Sequence, residues 1–184
     1  KKNQLVSNLE PFILYVGNRH LYKNFNTLLR AFASNEQLYR NYNLVLFGGE
    51  NLSKDEKQLI NENEIESKIH LFDGSENLLS SFYNSASVFV YTSIYEGFGL
   101  PVLEAMACGC PVIAGNNSSI PEVAEDACFL VDQIESADIL ANKMQYLLSN
   151  KNLLFDYSKR GIIQASKFSW EKCAIEHLKV YKTL

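Results

Sequence analysis

The chain of 184 residues has no apolar run approaching the roughly 18 residues needed to cross a bilayer. Its start shows no signal-peptide pattern. It has no excess of positive charge: 17 Lys and Arg against 21 Asp and Glu give a formal net charge of −4. That balance argues against bulk nucleic-acid binding, so an anionic ligand has to be held by local devices such as a few cations and helix N-termini. No second close cysteine pair accompanies Cys108 and Cys110, since Cys128 and Cys173 stand alone, and His20, His70 and His177 are scattered. Zinc-ligand spacing is therefore absent, and there is no Asp-x-Asp pair. Neither a metal nor a cofactor is expected, and the four thiols read as reduced and mostly buried in a cytosolic protein. Low-complexity tracts, long linkers and internal repeats are also missing, which leaves one domain over residues 1–184.

What the chain does have is an alternation of short apolar runs with longer amphipathic stretches. Residues 12–16 (FILYV), 44–47 (LVLF), 69–72 (IHLF), 88–91 (VFVY), 111–114 (PVIA) and 127–131 (ACFLV) read as strands. They are rich in β-branched or aromatic residues and lack the polar alternation of a half-exposed strand. Helical patterns fall between them at about 24–34, 53–66, 76–86 and 101–108, with a short one from Ile120. Beyond the sixth strand the pattern is wholly helical, at about 135–148, 152–165 and 170–181. Strand and helix alternating at this spacing predict βαβ units. The expected fold is an α/β, doubly wound, parallel six-stranded sheet with helices on both faces and a helical C-terminus. Ligands of such sheets bind outside the carboxyl ends of the strands, so the strand-to-helix turns carry the functional reading.

The turn after the first strand runs from Gly17 to Asn24. Arg19 and Lys23 there place two cations beside a helix start, a forked donor and a point charge suited to a pyrophosphate. Taken alone the turn is equally a solvated loop. The turn after the fourth strand runs through Glu96-Gly97-Phe98-Gly99-Leu100-Pro101-Val102-Leu103-Glu104. Pro101 suits the first turn of a helix, and the amides ahead of it are a ready anion site. Glu104 is read as lying in the first turn of that helix, as a carboxylate able to hold a vicinal diol. Each glutamate alone has a plain structural account, as a helix-start charge or a loop charge. Ser119 with Glu122 fits a capping box. Gly48-Gly49, after the second strand, is expected to turn toward the same cleft.

The run EGFGLPVLE, two glutamates separated by seven residues, resembles the signature of the retaining glycosyltransferases of family 4, the group 1 enzymes of GT-B fold. The resemblance continues through Ala105-Met106-Ala107-Cys108-Gly109-Cys110-Pro111-Val112-Ile113-Ala114 and Ser119-Ile120-Pro121-Glu122-Val123. The turn ending in Lys23-Asn24 is similar to the family's phosphate loop, and Phe168-Ser169-Trp170 to the start of its last helix. The resemblance implies a catalytic set of Glu96, Lys23 and Arg19. It implies a donor-binding set of Gly17, Phe72, Asp73, Glu96, Gly97, Phe98, Gly99, Leu100 and Glu104. Within these, Glu104 takes the ribose hydroxyls, Glu96 the donor sugar, Lys23 the phosphates, and the amides of residues 97–100 the sugar and phosphates. Two positions depart from the pattern: Asn18 stands where many members have Arg, and Asp73 where many have Gly.

As the resemblance implies, this is the C-terminal donor-binding domain of a two-domain enzyme, with the N-terminal acceptor domain absent from the chain. The donor is a nucleotide-diphosphate hexose, GDP- or UDP-linked, and the acceptor a glycan or lipid-linked saccharide. The expected location is cytoplasmic, any attachment to the inner membrane falling to the absent domain. In the whole enzyme the last helix crosses back toward that domain, which leaves Trp170 and Tyr181 partly orphaned here. The wording YVGNR…YKN points toward mannosyl transfer in surface-polysaccharide assembly. Two alternatives stay open: a non-enzymatic nucleotide-sugar-binding or interaction module, and another GT-B-like enzyme such as an epimerase or a phosphorylase.

Overall fold

The structure, a computed structural model, describes residues 4–9 and 11–183. Its strands are β1 (Phe12–Val16), β2 (Asn43–Phe47), β3 (Ile69–Phe72), β4 (Val88–Tyr91), β5 (Val112–Gly115) and β6 (Phe129–Val131). They form one sheet in the order β3-β2-β1-β4-β5-β6, parallel at every pairing. The predicted six-stranded doubly wound α/β sheet is thus the observed one. β5 and β6 are shifted or shortened relative to expectation because Pro111 lacks a ladder donor and Ala127-Cys128 packs into the core ahead of the strand.

The helices are α1 (Gln4–Ser7), α2 (Phe25–Ser34), α3 (Glu36–Asn41), α4 (Lys54–Glu62), α5 (Glu76–Ser85), α6 (Leu100–Ala107), α7 (Ile120–Ala124), α8 (Ala137–Ser149), α9 (Lys151–Ala165) and α10 (Trp170–Tyr181). The predicted stretch 24–34 is followed by an unpredicted α3, because the Asn35 side chain accepts from the amides of Gln37 and Leu38 and starts a new helix. The predicted 53–66 divides into α4 and a separate 3-10 turn, Glu66–Lys68, with Glu64 at positive φ between them.

Alternate residues of the strands feed two cores, one on each face. Ile13 and Tyr15 pack with Phe25, Leu28, Leu140 and Met144 from α2 and α8. Phe12 and Leu14 pack with Phe82, Tyr83, Val102 and Met106 from α5 and α6. Each fully buried Leu or Phe contributes about 1.5–3 kcal/mol from transfer out of water. No residue of α10 is buried, and Trp170 and Tyr181 are 77% and 66% exposed.

Neighbouring strands β1 and β4 mark the point where the strand order reverses. Connections from β1 run to one side of the sheet and those from β4 to the other, so the loops that follow them diverge and leave a crevice at their carboxyl ends.

Candidate functional site

Loops from both sides of that crevice meet in an ion pair. Lys23 Nζ, from the β1–α2 loop, donates to Glu96 Oε1 of the β4–α6 loop at 2.6 Å. Both side chains are largely shielded, at 17% and 14% exposure. The Lys23 ammonium also lies 5.2 Å from the Tyr22 ring centroid and 5.5 Å from that of Tyr91, which adds cation–π attraction. Burial pushes the Glu96 carboxyl up, but the neighbouring Lys23, Ser93 and Tyr91 more than offset it and hold the group below the ordinary glutamate value. The Tyr91 hydroxyl is buried beside this carboxylate without completing a hydrogen bond of good geometry. Burial and the Glu96 charge together push its own pKa well up.

The two loops are laced by their backbones as well. Thr92 Oγ1 donates to the Lys23 carbonyl at 2.7 Å, and the Ile94 amide to the Tyr22 carbonyl at 2.8 Å. Thr92 and Ser93 are buried; the sequence reading did not single them out, and two polar residues directly after an all-apolar strand were the signal that could have done so.

After Glu96 the chain runs through Gly97, Phe98 and Gly99 into α6. Gly99 caps the helix at φ +98, and a Cβ there would stand 2.6 Å from Ile120 Cδ1; only glycine meets both conditions. Among the described residues, none of the amides of Gly97, Phe98, Gly99 and Leu100 donates to a backbone carbonyl. Four open donors therefore stand at the start of an eight-residue helix, beside the ion pair.

Glu104 departs from expectation. It is the fifth residue of α6 and lies outside its first turn, because Gly99 rather than a later residue takes the N-cap place. Its carboxylate accepts from the Tyr83 hydroxyl of α5 at 3.2 Å, a partner the sequence did not suggest. With Phe98, Leu100, Leu103, Phe168 and Trp170 it lines a groove of about 520 Å³ between α6 and α10. Phe98 meets Phe168 edge to face at 6.0 Å.

Arg19 is drawn elsewhere. Its Nε donates to Glu56 Oε1 at 3.2 Å, with side chains only 6% and 7% exposed, and its Nη atoms donate to the carbonyls of Gly48 and Glu50. Glu56 Oε2 in turn accepts from the Ser53 amide at 2.7 Å in a capping box of α4. Gly49 closes this junction of the β1 and β2 loops, since a Cβ would fall 2.9 Å from the Gly17 carbonyl. The structure thus brings Lys23, Glu96, Gly97 and Gly99 together, and pairs Arg19 with Glu56 rather than with either of the first two. Phe72 packs against Phe82 at 4.9 Å. Asp73, exposed at the end of β3, accepts from the Gly74 amide at 2.8 Å.

The capping box expected of Ser119 and Glu122 does not form. Ser119 has helical dihedrals and makes no side-chain cap bond; its hydroxyl donates instead to the Glu96 carbonyl at 2.9 Å. No group of three or more His, Cys, Asp or Glu able to hold a metal occurs among the described residues, and none of their helices is long and apolar enough to cross a membrane.

Residues 1–164 match the family model described as Glycosyl transferases group 1. The chain is 37% identical over 178 residues to O-antigen chain mannosyltransferase B of Escherichia coli, covering 95% of this chain and 46% of that protein. It therefore spans about half the length of that relative. Sucrose-phosphate synthase from Thermosynechococcus elongatus superposes with a TM-score of 0.82 at 29% identity, covering 95% of this chain and 45% of that one. The C-terminal domain of a glycosyl transferase group 1 family protein from Francisella tularensis shares the fold, with a TM-score of 0.76 at 24% identity over 91% of this chain and 92% of that one.

Proposed function

Because the chain belongs to the group 1 glycosyl transferases, we propose that it supplies the donor site of a retaining, family 4 glycosyltransferase. The enzyme moves a hexose from a GDP- or UDP-linked donor to a glycan or lipid-linked acceptor. The observation that carries this reading is the Lys23–Glu96 pair at the crevice between β1 and β4, beside the open amides of residues 97–100.

In transfer, the bond between the sugar's anomeric carbon and the diphosphate oxygen breaks, a bond from the acceptor oxygen forms, and the acceptor hydroxyl passes its proton to the departing diphosphate. Negative charge grows on the departing diphosphate. Lys23 exchanges Glu96 for that phosphate, and the amides ahead of Pro101 take the remaining oxygens. Each well-placed donor of this kind contributes roughly 3–4 kcal/mol to such a step. Glu96, released from Lys23, turns its ionised carboxylate to the sugar hydroxyls, and Glu104 takes the ribose. Arg19 reaches the phosphates only by releasing Glu56.

A facing domain supplies the acceptor side. Leu21, Tyr22, Tyr95 and Phe98 flank the ion pair with exposed apolar surface, Leu21 at 95%, and α10 has no buried residue. Such surface marks an interaction face, and the relative from Escherichia coli is about twice as long as this chain. That relative is a mannosyltransferase, which favours mannose as the sugar. On this reading the isolated chain binds nucleotide without transferring sugar. Calorimetry of the 184-residue chain against UDP, GDP and ADP, with Glu104→Ala as control, tests it. Binding that the control loses supports a donor site, no affinity for any nucleotide favours an interaction module, and turnover by the isolated chain refutes the half-enzyme account.

A further inference from the structure

Glu96 sits in a loop where neither strand nor helix holds the backbone, yet both of its peptide groups are satisfied. Its amide donates to Ser118 Oγ at 3.0 Å, and its carbonyl accepts from Ser119 Oγ at 2.9 Å. The two serines are consecutive, in the loop from β5 to α7. We propose that Ser118 and Ser119 are positioning residues, a two-pronged clamp on the Glu96 backbone that sets its carboxylate against Lys23 and the donor sugar. The role of Glu96 toward the sugar is taken from the function proposed above.

Three further observations agree. Ser118 has φ +47, a left-handed conformation that a residue other than glycine keeps only when its surroundings impose it. The Ser118 hydroxyl donates to Asn117 Oδ1 at 3.4 Å, and Asn117 Nδ2 donates to the Ser93 carbonyl at 3.4 Å, so a second tie joins the same two loops. Ser119 stands immediately before α7 but leaves that helix uncapped and spends its hydroxyl on Glu96. The open amides of residues 97–100 follow directly, so the two serine bonds anchor the backbone between the Ile94–Tyr22 bond and the start of α6. An error of about 1 Å at such a group can cost on the order of 100-fold in rate.

The test uses the isotope-labelled 184-residue chain with Ser118→Ala, Ser119→Ala, Ser119→Thr and Glu96→Ala. Amide hydrogen exchange is read residue by residue, and affinity is measured for UDP, UDP-glucose, GDP and GDP-mannose. Ser118→Ala is expected to speed exchange of the Glu96 amide by about tenfold, the loss of one hydrogen bond, with β4 amides unchanged. Ser119→Ala is expected to lower affinity for the sugar nucleotide that binds by about tenfold while leaving its nucleoside diphosphate unaffected, and Ser119→Thr to restore it. A Glu96 amide unmoved by Ser118→Ala, or equal losses for nucleotide and sugar nucleotide in Ser119→Ala, would overturn the clamp. If Glu96→Ala leaves all four affinities intact, or none of the four binds, the donor-site reading falls, and the exchange measurement alone then decides whether the serines hold Glu96.

Discussion

Lys23 and Glu96 close a 2.6 Å ion pair across 73 positions of sequence, and through it the loops after β1 and β4 share one electrostatic centre. Burial alone would raise the Glu96 pKa; Lys23, Ser93 and Tyr91 together lower it. A carboxyl depressed in the folded state adds stability above its unfolded pKa of about 4.3, and that stability is lost as pH falls through the lower folded value. Lys23→Ala removes the leading stabiliser of the ionised form. The Glu96 midpoint should therefore rise toward the unfolded value, and the stability that this carboxyl adds above it should shrink. An NMR titration of the Glu96 carboxyl carbon in wild type and Lys23→Ala reads this directly; equal midpoints would refute it.

Glu104, held by the Tyr83 hydroxyl at 3.2 Å, faces a different measurement. A carboxylate gripping ribose hydroxyls contributes about 1.5–3 kcal/mol, roughly 10- to 100-fold in Kd. Glu104→Ala should lose that much affinity for a nucleoside diphosphate and none for its 2′,3′-dideoxy analogue. Tyr83→Phe should lose less, because it frees the carboxylate without deleting it. A dideoxy analogue weakened equally by Glu104→Ala would show that the residue serves the fold instead.

The sheet and most helix bounds were legible because their signals are local. FILYV and VFVY can be read without knowing what they touch, and Pro101 after a glycine pair announces a helix start. The site was legible only in part. That Lys23 and Glu96 belong together followed from the family resemblance, since nothing in either loop names the other. Tyr83–Glu104, Ser119–Glu96 and Arg19–Glu56 join residues 21, 23 and 37 positions apart, and a strand or helix crossover separates each pair. The capping-box pattern at Ser119 misled for the same reason, because a competing carbonyl from a distant loop took its hydroxyl.

Arg19 and Glu56 form a buried pair, with side chains 6% and 7% exposed. Removing one partner of such a pair leaves the other charge uncompensated, at a cost on the order of 3–5 kcal/mol. Arg19→Ala and Glu56→Ala should each lower the unfolding free energy, read by urea denaturation, by an amount of that order. Replacing both by apolar residues, Arg19→Met with Glu56→Leu, should recover much of it. Arg19→Lys should fail to rescue, because an ammonium lacks the fork that reaches Glu56 together with the carbonyls of Gly48 and Glu50. Additive losses in the double variant would show that the two side chains act independently.

Gly99 should be the least replaceable residue of the β4–α6 loop. Its φ of +98 disfavours any side chain, and a Cβ would stand 2.6 Å from Ile120 Cδ1. The left-handed backbone and the overpacking together cost roughly 2–4 kcal/mol. The two contributions are separable, because Val lacks the δ-methyl that the new Cβ strikes. Ile120→Val alone should cost about 0.5–1.5 kcal/mol. Combined with Gly99→Ala it should cost less than the sum of the single changes, with the backbone share remaining. Strict additivity of the two urea-denaturation losses would place the whole penalty in the backbone. Nucleotide affinity should fall in Gly99→Ala even where the chain stays folded, because the open amides of residues 97–100 hang on the conformation that Gly99 sets.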